Sequence, residues 1–252
     1  MTKTIYFIPG TMCDERLWQP TWQLLDEQFS HSCQLVHLPI PTSGNMSQVV
    51  ESMAQKIAEE GAVLVGFSLG GYIASAIVAK FPELISHLVV VSNMPKNLPD
   101  TEIKQRKRTI AWIANRGYSG IPNKRIEDLL HPATKQFDAE SFIRIKNTIV
   151  DMDRDLGGNV LLHQLEVSMS RPPLLSCLSY LNLPVQFLVG DADTLVDIAK
   201  LKQETQGAEN ISINKVENTG HMLPLEAPQA LALALNKLIS PHKHTYHFLN
   251  IE

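Results

Sequence analysis

The sequence predicts an α/β fold: a mostly parallel central sheet flanked by helices, with a helical segment inserted into it. Three observations carry that expectation. Short runs rich in Val, Ile and Leu, each closed by turn residues, alternate with segments of helical periodicity. Several of those runs lack the in–out alternation of a half-exposed strand, as strands covered by helices on both faces do. Between about Pro95 and Leu183 the strand signal stops while helical patterns continue, an interval too long for a structureless loop inside a compact chain.

The first strand candidate is Thr4–Ile8, broken by Pro9-Gly10, and the second is Gln34–Leu38. A helix is expected over Met46–Glu60, where Met46, Val49, Val50, Met53 and Ile57 approach the i, i+3, i+4, i+7 template. Ala62–Phe67 reads as a strand, Leu69–Lys80 as a helix and Ser86–Val91 as a strand. Helical patterns then recur around Thr101–Gly117, Pro122–Leu130 and Phe137–Met152. Val185–Val189 and Ile211–Val216 resume the strands, and Ala230–Ile239 is the last helix. The chain thus divides into a core of residues 1–94 and 184–240, a helical insertion over 95–183 and a tail over 241–252. An insertion between two sheet strands can form a lid over the carboxyl edge of the sheet, the usual ligand location in open α/β folds. Neither internal repeats nor low-complexity segments are visible, which argues against a solenoid.

Composition narrows the class. A chain of 252 residues can bury a substantial core without disulfides or metals, and 44% apolar with 19% charged residues is ordinary for a globular protein. A net charge of −4 and a pI near 6.1 give no global reason to expect nucleic acid or an anionic membrane as partner. The three cysteines, Cys13, Cys33 and Cys177, are odd in number and show no C-x-x-C spacing, so neither a disulfide framework nor a zinc site is indicated. The apolar run before Pro9 is too short for the core of an export signal, and no stretch approaches the roughly 20 apolar residues of a membrane span. Free thiols without an export signal point to the cytoplasm.

The most informative stretch is Gly66-Phe67-Ser68-Leu69-Gly70. A bare G-x-S-x-G is an ordinary turn, but this one follows a strand candidate and opens a helix, the context that gives the motif a mechanical meaning. In so tight a turn the serine adopts strained angles, and glycines two residues to either side avoid clashes with neighbouring backbone. Its hydroxyl then projects above the sheet edge, while the helix N-terminus offers free N–H groups to an oxyanion. Ser68 is therefore the candidate nucleophile. A second oxyanion donor is expected from the loop after an earlier strand, and Ile8-Pro9-Gly10-Thr11 lies there. The backbone N–H groups of Thr11 and Leu69 are the proposed pair. Cys13, close by, has no local motif in support.

Serine needs a base within hydrogen-bond reach. Of nine histidines, His221 stands out, in the loop Asn218-Thr219-Gly220-His221 between the last strand candidate and the last helix. His37 and His87 sit in or beside strands, where packing or capping explains them; His31, His131 and His163 read as surface or lid positions. The acid should precede the histidine and end a strand. Val189-Gly190-Asp191-Ala192-Asp193 supplies two candidates, whereas the strand after the nucleophile helix ends in Ser92-Asn93 without a carboxylate. The acid holds the imidazole tautomer and stabilises the imidazolium.

Ser68, Asp193 and His221 in that order resemble the α/β-hydrolase superfamily, and the resemblance covers nearly the whole chain, from Pro9-Gly10 to the last helix. Gly190-x-x-Asp193 is similar to the family's acid loop, which implies Asp193 and not Asp191 as the catalytic acid. Gly220-His221 with Glu226-x-Pro228 looks like the family's histidine loop and following helix start, and Trp18 like the tryptophan that often follows the oxyanion loop. One departure is Pro9-Gly10, where many members carry His-Gly; the donors are backbone groups, so the change leaves them available. The helical insertion looks like that of the small lidded carboxylesterases, including pimeloyl-carrier-protein methyl ester esterases. Serine as nucleophile separates the chain from the family's dehalogenases and epoxide hydrolases, which use aspartate. Tyr72 stands where the related menaquinone-pathway synthases carry an arginine after Gly-Gly.

What the pattern implies is hydrolysis of a small-molecule carboxylic ester through an acyl-enzyme, with no metal and no organic cofactor. Thioesters or carbon–carbon bonds are alternative substrates for the same residues, and a hydrolase-like protein that binds a ligand without turnover is the alternative outside catalysis. Lys104-Gln105-Arg106-Lys107-Arg108 puts Lys104, Lys107 and Arg108 on one side of a helix, with Ile103, Ile110 and Ala114 facing inward. Such a cluster is ordinarily a solvated face; the sharper expectation is a dock for an acidic acyl carrier. His242, His244 and His247 match no metal-ligand spacing and read as tail. Gly157-Gly158 lacks the context of a nucleotide loop.

Overall fold

The computed structural model describes residues 3–29 and 33–239. His31 and the tail histidines lie outside them. Six strands, β1 (Lys3–Ile8), β2 (Cys33–His37), β3 (Ala62–Phe67), β4 (Ile85–Val91), β5 (Val185–Gly190) and β6 (Ile211–Val216), form one sheet in the order β2-β1-β3-β4-β5-β6. Every neighbouring pair is parallel. The strands match the six expected segments to within a residue or so at their ends.

Burial on both faces explains why the strands read as unbroken apolar runs. Tyr6, Ile8, Leu64, Leu88, Val90 and Phe187 join one core, while Ile5, Phe7, Val65, Val89, Val91 and Leu188 join the other. Alternate residues of a single strand thus feed two separate layers. Fully burying one such side chain contributes roughly 1.5–3 kcal/mol, so the central strands β1, β3 and β4 anchor the molecule from both sides.

Helix α1 (Gln19–Phe29) is followed by α2 (Met46–Ala54) and α3 (Leu69–Lys80). The segment between β4 and β5 holds α4 (Asp100–Arg116), α5 (Asn123–Leu129), α6 (Pro132–Phe137), α7 (Ala139–Val167) and α8 (Leu175–Ser179). The chain closes with α9 (Ile198–Glu204), α10 (Leu223–Glu226) and α11 (Pro228–Ile239). Helices α2, α3, α8 and α9 supply the first core, and α1, α5, α7, α10 and α11 the second. The helical segment is closed at its root, where the Leu174 N–H donates to the Pro95 carbonyl at 2.9 Å.

Several helices differ from the periodicity. Helix α2 stops at Ala54 and not at Glu60: Lys56 and Ile57 donate to carbonyls only three residues back, Ile57 is buried, and the Ala58 N–H turns to the Tyr6 hydroxyl. Helix α7 runs past Met152 to Val167 with a kink at Gly157, whose φ of 75° breaks the helical path. That pair of glycines hid its second half. Helices α1 and α9 fall where no helix was expected: α9 buries Leu201 alone, too little for a stripe, whereas α1 does set Trp22 and Leu25 against the second core. On α4, Ile113 is the buried residue and Ala114 is exposed.

Candidate active site

The end of β3 and the start of α3 meet at Ser68, which has φ 50° and ψ −117°. A non-glycine residue at positive φ is strained, and here the surroundings hold it in place. The Ser68 N–H donates to the Val91 carbonyl of β4 at 2.9 Å, and its own carbonyl accepts from Tyr72 N at 3.2 Å. At Gly70 an added Cβ would sit 2.2 Å from the Ile8 carbonyl oxygen and 2.3 Å from that of Pro9. Helix α3 therefore leaves the sheet directly against the end of β1, a closeness that only glycine permits.

His221 Nε2 lies 3.1 Å from Ser68 Oγ, and His221 Nδ1 lies 2.9 and 3.0 Å from the two oxygens of Asp193. An ionised carboxylate only accepts, so the geometry places the ring proton on Nδ1 and leaves the Nε2 lone pair to take the serine O–H. The Asp193 side chain is 0% exposed, and the Leu195 N–H also donates to it, at 2.9 Å. The Phe67 ring, 5.2 Å from the imidazole, backs it, and Trp18 meets Phe67 edge-on behind.

Asp191 has different work. Its side chain accepts the Thr219 N–H at 3.0 Å, and the Ala192 N–H donates to the Thr219 carbonyl at 3.0 Å. The two loops are thereby stitched together, which fixes Asp193 against His221. Burial works against ionisation of Asp191, but the donated N–H groups of Thr219 and Asn218 outweigh it and hold its pKa below the usual carboxylate value.

Sequence reasoning missed three further groups at the site. The Leu129 carbonyl, at the end of α5, accepts the N–H of His221 at 2.8 Å and that of Met222 at 3.3 Å. Glu226 accepts from Gly220 N at 3.0 Å with one oxygen, and with the other from His131 N at 2.7 Å and the Thr134 hydroxyl at 3.2 Å. Burial raises the Glu226 pKa, and those donors only partly offset it. Gln164, buried on α7, accepts the Met12 N–H at 2.9 Å. Met12 itself sits at φ 55° in the loop after β1. The histidine loop and the loop after β1 are both pinned from the helices between β4 and β5. Contacts so distant in sequence leave no local signal; Glu226 alone stood in a motif.

Thr11 lies in that β1 loop and Leu69 is the first residue of α3. With the Met12 N–H taken by Gln164, the Thr11 N–H is the neighbouring donor that no described group accepts from. Cys13 is buried, and that burial pushes its thiol up to about 12, which makes it a poor nucleophile. His37 lies in β2, His87 Nδ1 meets Ser86 Oγ at 3.1 Å, His131 caps α6 and His163 lies on α7, all apart from Ser68. Two cavities of about 520 and 390 Å³ meet beside Tyr118 and Gly157-Gly158 in the helical segment, and neither is lined by Ser68 or His221.

A family model described as the alpha/beta hydrolase family matches residues 5–234. A bifunctional biotin-biosynthesis protein from Teredinibacter turnerae is 25% identical over 93% of this chain, which spans only 44% of that protein's length. A pimeloyl-[acyl-carrier protein] methyl ester esterase from Pseudoalteromonas atlantica is 25% identical, with 81% of this chain and 82% of that one covered. Among solved structures, a thermophilic esterase from Thermogutta terrifontis superposes with a TM-score of 0.77 at 18% identity, covering 94% of this chain and 89% of that one. An enol-lactonase from Burkholderia xenovorans also gives 0.77, at 12% identity and with 95% and 92% covered. At those identities the two structures speak for the fold alone.

Proposed function

The chain belongs to the alpha/beta hydrolase family, and from that premise we propose that it is a serine esterase cleaving carboxylic esters of small to medium acyl groups through an acyl-enzyme. The observation that carries this reading is the hydrogen-bonded series from Ser68 Oγ to His221 at 3.1 Å and from His221 to Asp193 at 2.9 Å. Ser68 Oγ attacks the ester carbonyl carbon while His221 Nε2 takes its proton. The N–H groups of Thr11 and Leu69 receive the developing oxyanion. His221 then gives the proton to the departing alkoxide as the ester C–O bond breaks, and water repeats the sequence to release the acid. Asp193 keeps Nδ1 protonated throughout and stabilises the imidazolium.

Residues 95–183 act in this reading as a lid above the carboxyl edge of the sheet, with residues 1–94 and 184–240 as the core. An acidic acyl carrier is the partner that the likeness to the carrier-protein esterase suggests. Lys104, Lys107 and Arg108 are exposed on α4, where such a carrier would dock, whereas Arg106 turns inward to Glu102 and Ser168. No helix among the described residues is long and apolar enough to cross a membrane. A cytoplasmic setting completes the reading, supported by the free thiols of Cys13, Cys33 and Cys177.

Steady-state hydrolysis of a p-nitrophenyl ester chain-length series tests it. Turnover of short to medium esters, reduced about 10³-fold or more by Ser68→Ala, is expected. Undiminished turnover in that variant, or none by the folded wild type, would contradict it.

A further inference from the structure

Arg171 lies between α7 and α8 and is held in an unusual way. Its guanidinium carbon sits 5.0 Å from the centre of the Tyr72 ring, and its Nε is buried without a hydrogen-bond partner. No carboxylate among the described residues comes within ion-pair distance of it. Beside it stands a second guanidinium, Arg106, whose charge is felt at Arg171. Among the described residues the acid whose charge reaches it, Glu102, is already engaged by Arg106, at 2.7 Å from Nη2 and 3.2 Å from Nε. The remaining Arg106 fork arm donates to the Ser168 hydroxyl. Two cations thus share one carboxylate, and the unpaired one, Arg171, is largely withdrawn from water itself.

That arrangement is costly unless something complements it, because removing a charge from water without a partner is among the most unfavourable steps in folding. Burial, and then repulsion from Arg106, pull the Arg171 pKa down to about 10, still well above neutral, so the group carries its charge. The aromatic face satisfies one side of the plane only, and the in-plane N–H donors keep their fork for an acceptor. The platform is rigid: the Tyr72 hydroxyl donates to the Pro172 carbonyl at 3.0 Å, tying ring and arginine segment together. Tyr72 is also one helical turn from the nucleophile, its N–H on the Ser68 carbonyl at 3.2 Å.

We propose that Arg171, backed by the Tyr72 ring and flanked by Arg106, is a subsite for an anionic group on the substrate, a carboxylate or a phosphate monoester. Both are planar or trigonal arrays of acceptors that a guanidinium fork meets with two parallel hydrogen bonds. The inference deepens the esterase reading and rests on it for the word substrate. A carboxylate would come from a diacid half-ester whose far end is held while the near end is cleaved; a phosphate would come from an ester whose alcohol or acyl part carries a terminal phosphate.

Calorimetric titration of the full-length protein with butyrate, inorganic phosphate and neutral butyramide tests the subsite without any turnover. Saturable binding of one anion per chain is expected, with no binding of butyramide and at least a tenfold loss of affinity in Arg171→Met. Arg171→Lys, which keeps the charge and loses the fork, should fall between the two. Preference for butyrate or for phosphate identifies the source of the anion. In parallel, p-nitrophenyl esters of equal chain length ending in methyl or carboxylate should differ, and Arg171→Met should shrink the ratio of their kcat/KM values at least tenfold. Absence of binding to both anions, or binding that Arg171→Met and Arg171→Lys leave unchanged, would overturn the proposal even if neutral esters turn over. Anion binding by a protein that hydrolyses no ester would keep the subsite and remove the esterase.

Discussion

At the scale of single residues, the site is decided by which groups already have partners. Asp193 faces His221 and Asp191 faces the Thr219 N–H, so the two acids two positions apart carry unequal consequences. Asp193→Asn should lower kcat on a p-nitrophenyl ester by about 10⁴-fold, since an amide favours the wrong imidazole tautomer. Asp191→Asn keeps an acceptor for Thr219 and should cost about tenfold or less; equal losses from both would contradict the assignment. Gln164 gives a second contrast. Gln164→Met leaves the buried Met12 N–H without an acceptor, a cost of about 1–3 kcal/mol that falls on the loop carrying Thr11. We expect kcat to drop about 10–100-fold with KM little changed, and Gln164→Glu, which restores an acceptor, to recover most of it. A loss confined to KM would place Gln164 in substrate binding instead. That Ser68 and His221 would meet was legible in the sequence because a tight turn and a loop after a strand leave local marks. Choosing between the aspartates took the resemblance, and Gln164 left no mark, its partner being 152 positions away.

At the scale of elements, the sheet was legible almost residue by residue, since strands buried on both faces announce themselves by apolar runs. Helices were legible where a stripe existed, as in α3, and were lost where one anchor sufficed, as in α9, or where Gly157 interrupted the path, as in α7. The connection between elements that matters most to the site could not be read at all: the histidine loop hangs from α5 through the Leu129 carbonyl and from the α6 start through Glu226. Because burial raises the Glu226 pKa in the fold, the folded state holds its proton more tightly than the unfolded chain does. Stability therefore falls as pH rises from the unfolded carboxylate value, about 4.3, through the raised folded one. Glu226→Gln abolishes that titration. The variant should be less stable than wild type at pH 4, having lost one acceptor, and the gap in thermal midpoint should narrow as pH climbs to 7. A gap that widens over that range would mean that the carboxylate is stabilised, not strained, by its site.

At the scale of the whole molecule, one parallel sheet delivers the loops carrying Ser68, Asp193 and His221 from β3, β5 and β6 to a common edge, and the helices between β4 and β5 hold two of the site's loops from the other side. In our reading those helices also choose the substrate. If Lys104, Lys107 and Arg108 dock an acidic carrier, replacing all three by Gln should lower kcat/KM for a carrier-linked ester about tenfold more than for a short ester. The carrier-linked rate should also fall more steeply with salt. Parallel losses on both substrates would leave the cluster a solvated face. The central claim, an activated Ser68, is tested most directly by treating the folded protein with a fluorophosphonate and weighing it intact. One adduct per chain, mapped to Ser68 and absent from Ser68→Ala, is the result predicted here; a folded wild type that takes up no label, or takes it up equally in the variant, would contradict it.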